Sequence, residues 1–173
     1  QQKLQFIVTV IHEPKFLIFD EPFSGFDPIN VNLLKNEILE LKKNGASIIF
    51  STHNMASVEE LCDDIVLINK ANKILDGNII DIKNQFKEHV FQVQFSSSLP
   101  IDLQSLLTDS YNVKSVTEVA DVQTALIKVH QQTANELISA LIPHVSLQSF
   151  QEIFPSMNDI FISQVNKINQ ENN

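Results

Sequence analysis

The sequence has no arginine and no tryptophan, and only one cysteine, one tyrosine, two methionines and three glycines in 173 residues. Each scarcity excludes something. Cys62 stands alone, so an internal disulfide is impossible, which fits a reducing compartment. The basic set is twelve lysines against 21 acidic residues, for a net charge of −9. So acidic a chain lacks the electrostatic footprint for nucleic acid, and an anionic membrane surface is disfavoured for the same reason. No apolar run approaches the ~20 residues of a membrane span, so direct membrane insertion is not expected. Gly25, Gly45 and Gly77 are too few and too scattered for a glycine-rich phosphate-cradling loop.

What is present is globular in character: 43% of residues are apolar and 19% charged. The length suits one ordinary domain or two small ones. A chain of this size can bury roughly 70% of its unfolded surface, enough for a core without staples. Gln1-Gln2-Lys3 leads straight into a helical pattern and not into a signal peptide, and no initiator methionine is present. We therefore expect a fragment of a longer protein.

The first half alternates strand and helix signals. Leu4, Ile7, Val8 and Ile11 share one helix face, which stops before Pro14. Phe16 to Phe19 is a short apolar run, expected as a strand buried on both faces of a parallel sheet. Asp27 followed by Pro28 predicts a helix start, and Asn44-Gly45 its end. SIIFS (47–51) reads as a strand, a short helix passes through Val58 and Leu61, and DIVLIN (64–69) and KILDG (73–77) read as two more strands. A polar helix is expected over 80–87. Such an order implies α/β architecture, a parallel sheet covered by helices.

From about residue 88 the style changes. VFQVQFS (90–96) alternates as a half-wet strand. A short helix over 101–107, a hairpin around 121–123, a helix over 134–142 and a strand over 145–153 follow. A last helix over 156–165 and a polar tail close the chain. The order β-α-β-β-α-β-α predicts a small α+β domain, an antiparallel sheet with helices on one face.

The chemistry concentrates in FLIFDEPFSGFDP (16–28). Ligand-handling groups in parallel sheets lie beyond the carboxyl ends of strands, and Asp20, Glu21 and His53 all fall there. Magnesium needs few protein carboxylates when phosphates and waters complete its shell, so Asp20 is a candidate metal ligand. Glu21 is a weak base with an ordinary pKa of about 4.3, better suited to holding and polarising a water than to full proton abstraction. His53 could donate to a terminal phosphate. The plainer reading makes these an acidic turn and a loop histidine, and makes Asp27 a helix cap alone. Cys62 reads as core packing, Lys42-Lys43 as a solvated helix end, and His12, His89, His130 and His144 show no metal-ligand spacing.

Taken together, residues 1 to 84 resemble the second half of the nucleotide-binding subunit of ATP-binding-cassette transporters. FLIFDEP is similar to its Walker B motif with the following glutamate, SGFD to its D-loop and STHNM to its switch-histidine loop. ELCDDIVLINKANKILDGN resembles the stretch that closes the cassette core, and the opening helix resembles the one after the signature motif. SFQEIFPSMNDIFISQV is similar to the end of an accessory domain of some exporter-type subunits, with Met157 where leucine is common. The resemblance implies a partial P-loop NTPase-type cassette over 1–88 and an accessory, regulatory or dimerising domain over 89–173. It implies ATP and Mg2+ as cofactors, with Asp20 binding the metal, Glu21 orienting the hydrolytic water and His53 contacting the γ-phosphate. Ser24 and Asp27 are implied to signal across a dimer with a second nucleotide-binding subunit. A transmembrane permease subunit is the implied partner, which places the protein in the cytoplasm at the inner face of the cell membrane.

Walker A, the Gln-loop and the signature motif are absent from this chain. The intact protein is therefore expected to be a transport-coupled ATPase, exporter-like, and the isolated chain inactive with weak ATP binding. Two rivals are a stand-alone regulatory or binding module derived from such a subunit, and an unrelated metal-dependent hydrolase using Asp20, Glu21 and His53. The second is disfavoured because one Asp-Glu pair and one histidine make a sparse metal site.

Overall fold

A computed structural model describes residues 2–97, 100–107, 110–130 and 132–171. The chain forms two compact units, Gln1–Ile79 and Ile80–Asn173. In the first, helix Gln2–Val10 (α1) places Phe6 against Phe19, the rings stacked with centroids 5.5 Å apart. The predicted apolar stripe of that helix, Leu4, Ile7 and Val8, is exposed instead, as is Ile11.

Strands Phe16–Asp20 (β1) and Ser47–Ser51 (β2) pair in parallel, Leu17 opposite Ile48 and Asp20 opposite Ser51. Helix Pro28–Lys43 (α2) connects them. Its start follows the predicted chemistry: the Asp27 carboxylate accepts from the amides of Ile29 and Asn30, both at 3.1 Å, and Pro28 opens the helix. Its end uses Gly45 at φ 93°, a left-handed conformation open to glycine, whose amide donates to the Lys42 carbonyl.

The first core gathers Phe23, Leu34, Ile38 and Leu61, with Phe19, Ile48 and Phe50 partly buried against them. One face of the β1–β2 pair is thus covered. The other is not: Phe16, Ile18 and Ile49 are 54%, 68% and 56% exposed. The expectation of a strand buried on both faces is corrected here. Side chains alternate along a strand, and the core of this unit takes only one of the two sets.

Helix Met55–Leu61 (α3) is capped by Asn54, which accepts from the Ser57 amide. Lys42, expected in solvent, ties α2 to the end of α3: its ammonium donates to the Leu61 carbonyl at 3.1 Å and to Asp63 at 2.7 Å. Strands Asp64–Asn69 (β3) and Asn72–Asn78 (β4) form an antiparallel hairpin in a separate sheet. Lys70 and Ala71 turn it with positive φ at both positions, the geometry favoured by two-residue hairpin loops. The parallel pairing seen is therefore that of β1 and β2, while β3 pairs with β4.

Helix Ile79–Gln85 (α4) leads into the second unit. There follow Val90–Ser96 (β5), Leu103–Leu106 (α5), Tyr111–Val119 (β6), Val122–Val129 (β7), Ala134–Leu141 (α6), Ser146–Ile153 (β8) and Met157–Glu171 (α7). The four strands make one antiparallel sheet in the order β6-β7-β5-β8. This is the split β-α-β arrangement of ferredoxin-like domains. Its core joins Phe91, Val93 and Phe95 of β5 and Ala125, Ile127 and Val129 of β7 to Leu137 and Leu141 of α6. Thr133 and Glu136 cap α6 reciprocally. The helix α7 runs to Glu171, through residues expected as a polar tail.

Candidate active site

The parallel register decides which side chains meet. Asp20 ends β1 opposite Ser51, the last residue of β2, and the Ser51 hydroxyl donates to the Asp20 carboxylate. The Glu21 amide continues the ladder, donating to the Ser51 carbonyl at 3.0 Å. Glu21 then turns left-handed, with φ 44°, which is uncommon for a residue with a side chain and recurs at functional sites.

That turn presents the Glu21 carboxylate to the loop after β2. Its Oε1 lies 2.7 Å from His53 Nδ1 and accepts from the His53 amide at 3.0 Å. Its Oε2 accepts from the Thr52 hydroxyl at 3.1 Å. Both oxygens are held, so the carboxylate has one orientation. The His53 side-chain contact holds the Glu21 carboxyl below the usual glutamate range; the His53 amide and Thr52 add to this, and partial burial opposes it. The His53 side chain is 89% exposed, so the ring stands at a solvent-facing edge.

Asp20, Glu21 and His53 thus converge at one end of the β1–β2 pair. Ser24 and Asp27 do other work within the chain. The Ser24 amide donates to the Glu21 carbonyl at 3.1 Å, which closes the turn. Asp27 caps α2 and also accepts from the Asn30 side chain, and these bonds lower its pKa. Two groups escaped the sequence reading, Ser51 and Thr52. Their signal was available: two hydroxyls directly ahead of the histidine at a strand end.

The donor set limits what the chain can hold alone. Among the described residues, no group of three or more His, Cys, Asp or Glu side chains gathers as a metal cage. The residues fit magnesium only as one carboxylate, Asp20, beside phosphates and waters supplied from elsewhere. Gly25 and Gly45 adopt positive φ at separate turns and Gly77 does so within β4, so no glycine-rich loop stands among them. Cys62 is half-buried, and burial pushes its thiol up to about 11, which makes it inert at neutral pH. Among the described residues no helix is long and apolar enough to cross a membrane.

Residues 77–165 match the family described as ATP-binding protein DrrA1-3-like, C-terminal domain. An ABC transporter ATP-binding protein of Bacillus subtilis, YhaQ, is 35% identical over 168 residues, which cover 97% of this chain and 54% of that protein. Another, from Alkalihalophilus pseudofirmus, is 35% identical over 170 residues, covering 95% of this chain and 60% of its own length. A fluoroquinolones export ATP-binding protein of Mycobacterium tuberculosis is 39% identical over 80 residues, covering 46% of this chain and 25% of its own. The chain spans little more than half the length of the first two relatives. It belongs to the ABC transporter ATP-binding proteins that carry a DrrA1-3-like C-terminal domain.

Proposed function

We propose that this chain is the C-terminal part of an ATP-hydrolysing transporter subunit, and that residues 1–88 supply one edge of its nucleotide site. The observation that carries this is the two-point grip on the Glu21 carboxylate by His53 and Thr52 at the end of a parallel strand pair. Phosphoryl transfer depends on positioning and electrostatics, and a carboxylate fixed at both oxygens is suited to orienting a water. Asp20 would take one position on a magnesium ion, whose role is to neutralise charge on the phosphates. His53 would face the terminal phosphate from the exposed edge. Ser24 and Asp27 would lie toward a second nucleotide-binding subunit.

The phosphate cradle would come from the part of the longer protein that this chain does not contain. The isolated chain would then bind ATP weakly and not turn it over. Residues 89–173 would form an accessory, regulatory or dimerising domain. The whole protein would work in the cytoplasm at the inner face of the membrane, on a permease partner. The exporter-like reading draws support from the name of the mycobacterial relative alone.

The test is steady-state magnesium-ATP turnover of the intact protein with and without Glu21→Gln. A loss on the order of 10²-fold or more is expected. Unchanged turnover would remove Glu21 from the chemistry. Turnover by the isolated chain, abolished by Glu21→Gln, would overturn the claim that the cradle lies elsewhere.

A further inference from the structure

Two adjacent hydroxyls after the apolar part of β2 serve two adjacent carboxylates at the end of β1. They serve them differently. Glu21 is held at both oxygens, by Thr52 at one and by His53 at the other. Asp20 is held at one: the Ser51 hydroxyl donates to Oδ1, and no described residue donates to Oδ2.

The backbone places Ser51 for this. It lies opposite Asp20 in the parallel register, and its carbonyl accepts from the Glu21 amide at 3.0 Å. Side chains alternate along a strand. Asp20 and Ser51 therefore share the uncovered face with Ile18 and Ile49, while Phe19 and Phe50 turn to the core. Both residues are exposed, so water competes for both partners and the bond adds little to folding. Its effect is orientation: with Oδ1 engaged from a pinned strand end, Oδ2 is the oxygen left for a further partner.

We propose that Ser51 is a positioning residue for Asp20, fixing the carboxylate so that Oδ2 is the oxygen offered to a divalent cation. This rests on the reading of Asp20 as a metal ligand. Magnesium uses few protein carboxylates and tolerates little departure from octahedral geometry, so a single preset oxygen suits it. Hydrogen bonds to a ligating carboxylate hold its orientation, and their loss costs about 10- to 100-fold in metal affinity. Ser51→Ala leaves the Asp20 carboxylate free to turn either oxygen outward. Ser51→Thr keeps a hydroxyl at the same position, and threonine is well suited to a strand.

The test is Mn2+ binding to the intact protein, held in excess of a non-hydrolysable ATP analogue and read by electron paramagnetic resonance of the free ion. No turnover is involved. Ser51→Ala should weaken Mn2+ binding by about tenfold, and Ser51→Thr should stay within about threefold of the unaltered protein. The metal-free affinity for the analogue should hold within about twofold in both variants. Asp20→Asn supplies the reference loss for the ligand itself. If Asp20→Asn weakens Mn2+ binding and Ser51→Ala does not, the role of Ser51 is overturned and Asp20 stands as the ligand. Binding indifferent to Asp20→Asn overturns both. A loss that Ser51→Thr fails to rescue, or one shared equally by the metal-free analogue, assigns Ser51 to the fold and also overturns the proposal.

Discussion

Glu21 and His53, 32 positions apart in the chain, meet at 2.7 Å through Oε1 and Nδ1. The parallel register brings them together. Asp20 opposite Ser51 sets the two strand ends side by side, and the next residues of each chain segment fall within reach. An antiparallel pair would have put them at opposite ends. The same logic recruits Thr52, which grips the other carboxylate oxygen.

This contact has a pH signature. The Glu21 pKa lies below its ordinary value, with the His53 side-chain bond the largest cause. A depressed carboxylate pKa contributes stability above the unfolded value, and that contribution is lost as pH falls through the folded value. A carbon-detected NMR titration of the chain should therefore find Glu21 titrating at the low end of its glutamates. His53→Ala should raise the midpoint without restoring it fully, because Thr52 and the residue 53 amide still donate. A midpoint that His53→Ala leaves in place would mean the pair does not form in solution.

The Pro-Ser-Met-Asn-Asp-Ile-Phe stretch that carries the resemblance of the second unit has a structural explanation. Ser156 and Asp159 cap α7 reciprocally: the Asp159 amide donates to the Ser156 hydroxyl at 3.1 Å, and Asp159 accepts from the Ser156 amide at 3.2 Å. Met157 and Ile160 are 0% and 2% exposed. Replacing a capping serine by alanine costs about 1 kcal/mol. Tyr111, the only tyrosine in a chain without tryptophan, lies in this unit and reports its unfolding. Urea unfolding followed by tyrosine fluorescence should show Ser156→Ala lowered by about that amount. No change would assign the serine a role other than capping.

Local chemistry was legible in the sequence where the cause lies within a few residues. The alternation of VFQVQFS placed β5 at 90–96, where it is found, and Asp27-Pro28 and Asn44-Gly45 marked both ends of α2. What depends on distant chain was not. The apolar run at 16–19 reads the same whether one face or two is covered, and Phe16 and Ile18 prove exposed. Lys42 looks like solvent at a helix end, yet α3 ends within its reach. The α7 helix continues through 166–171 because polarity alone does not stop a helix, and no proline or glycine intervenes. Thr52 required the register before its hydroxyl could be assigned.

Two isoleucines on one helix offer the sharpest test of that register of burial. Ile160 and Ile162 are two positions apart on α7, and side chains two apart on a helix point to different faces. Ile160 is 2% exposed and Ile162 is 47% exposed. Truncating a buried isoleucine to alanine costs about 2–5 kcal/mol, through lost transfer energy and the cavity left behind. Truncating an exposed one shifts stability by about 0.5 kcal/mol or less, and alanine's helix propensity partly offsets even that. The same tyrosine-reported urea transition should therefore separate Ile160→Ala from Ile162→Ala by well over about 1 kcal/mol. Equal losses would mean that α7 lies rotated from the face described here. A large loss only at Ile162 would mean that the exposed face is the one that packs.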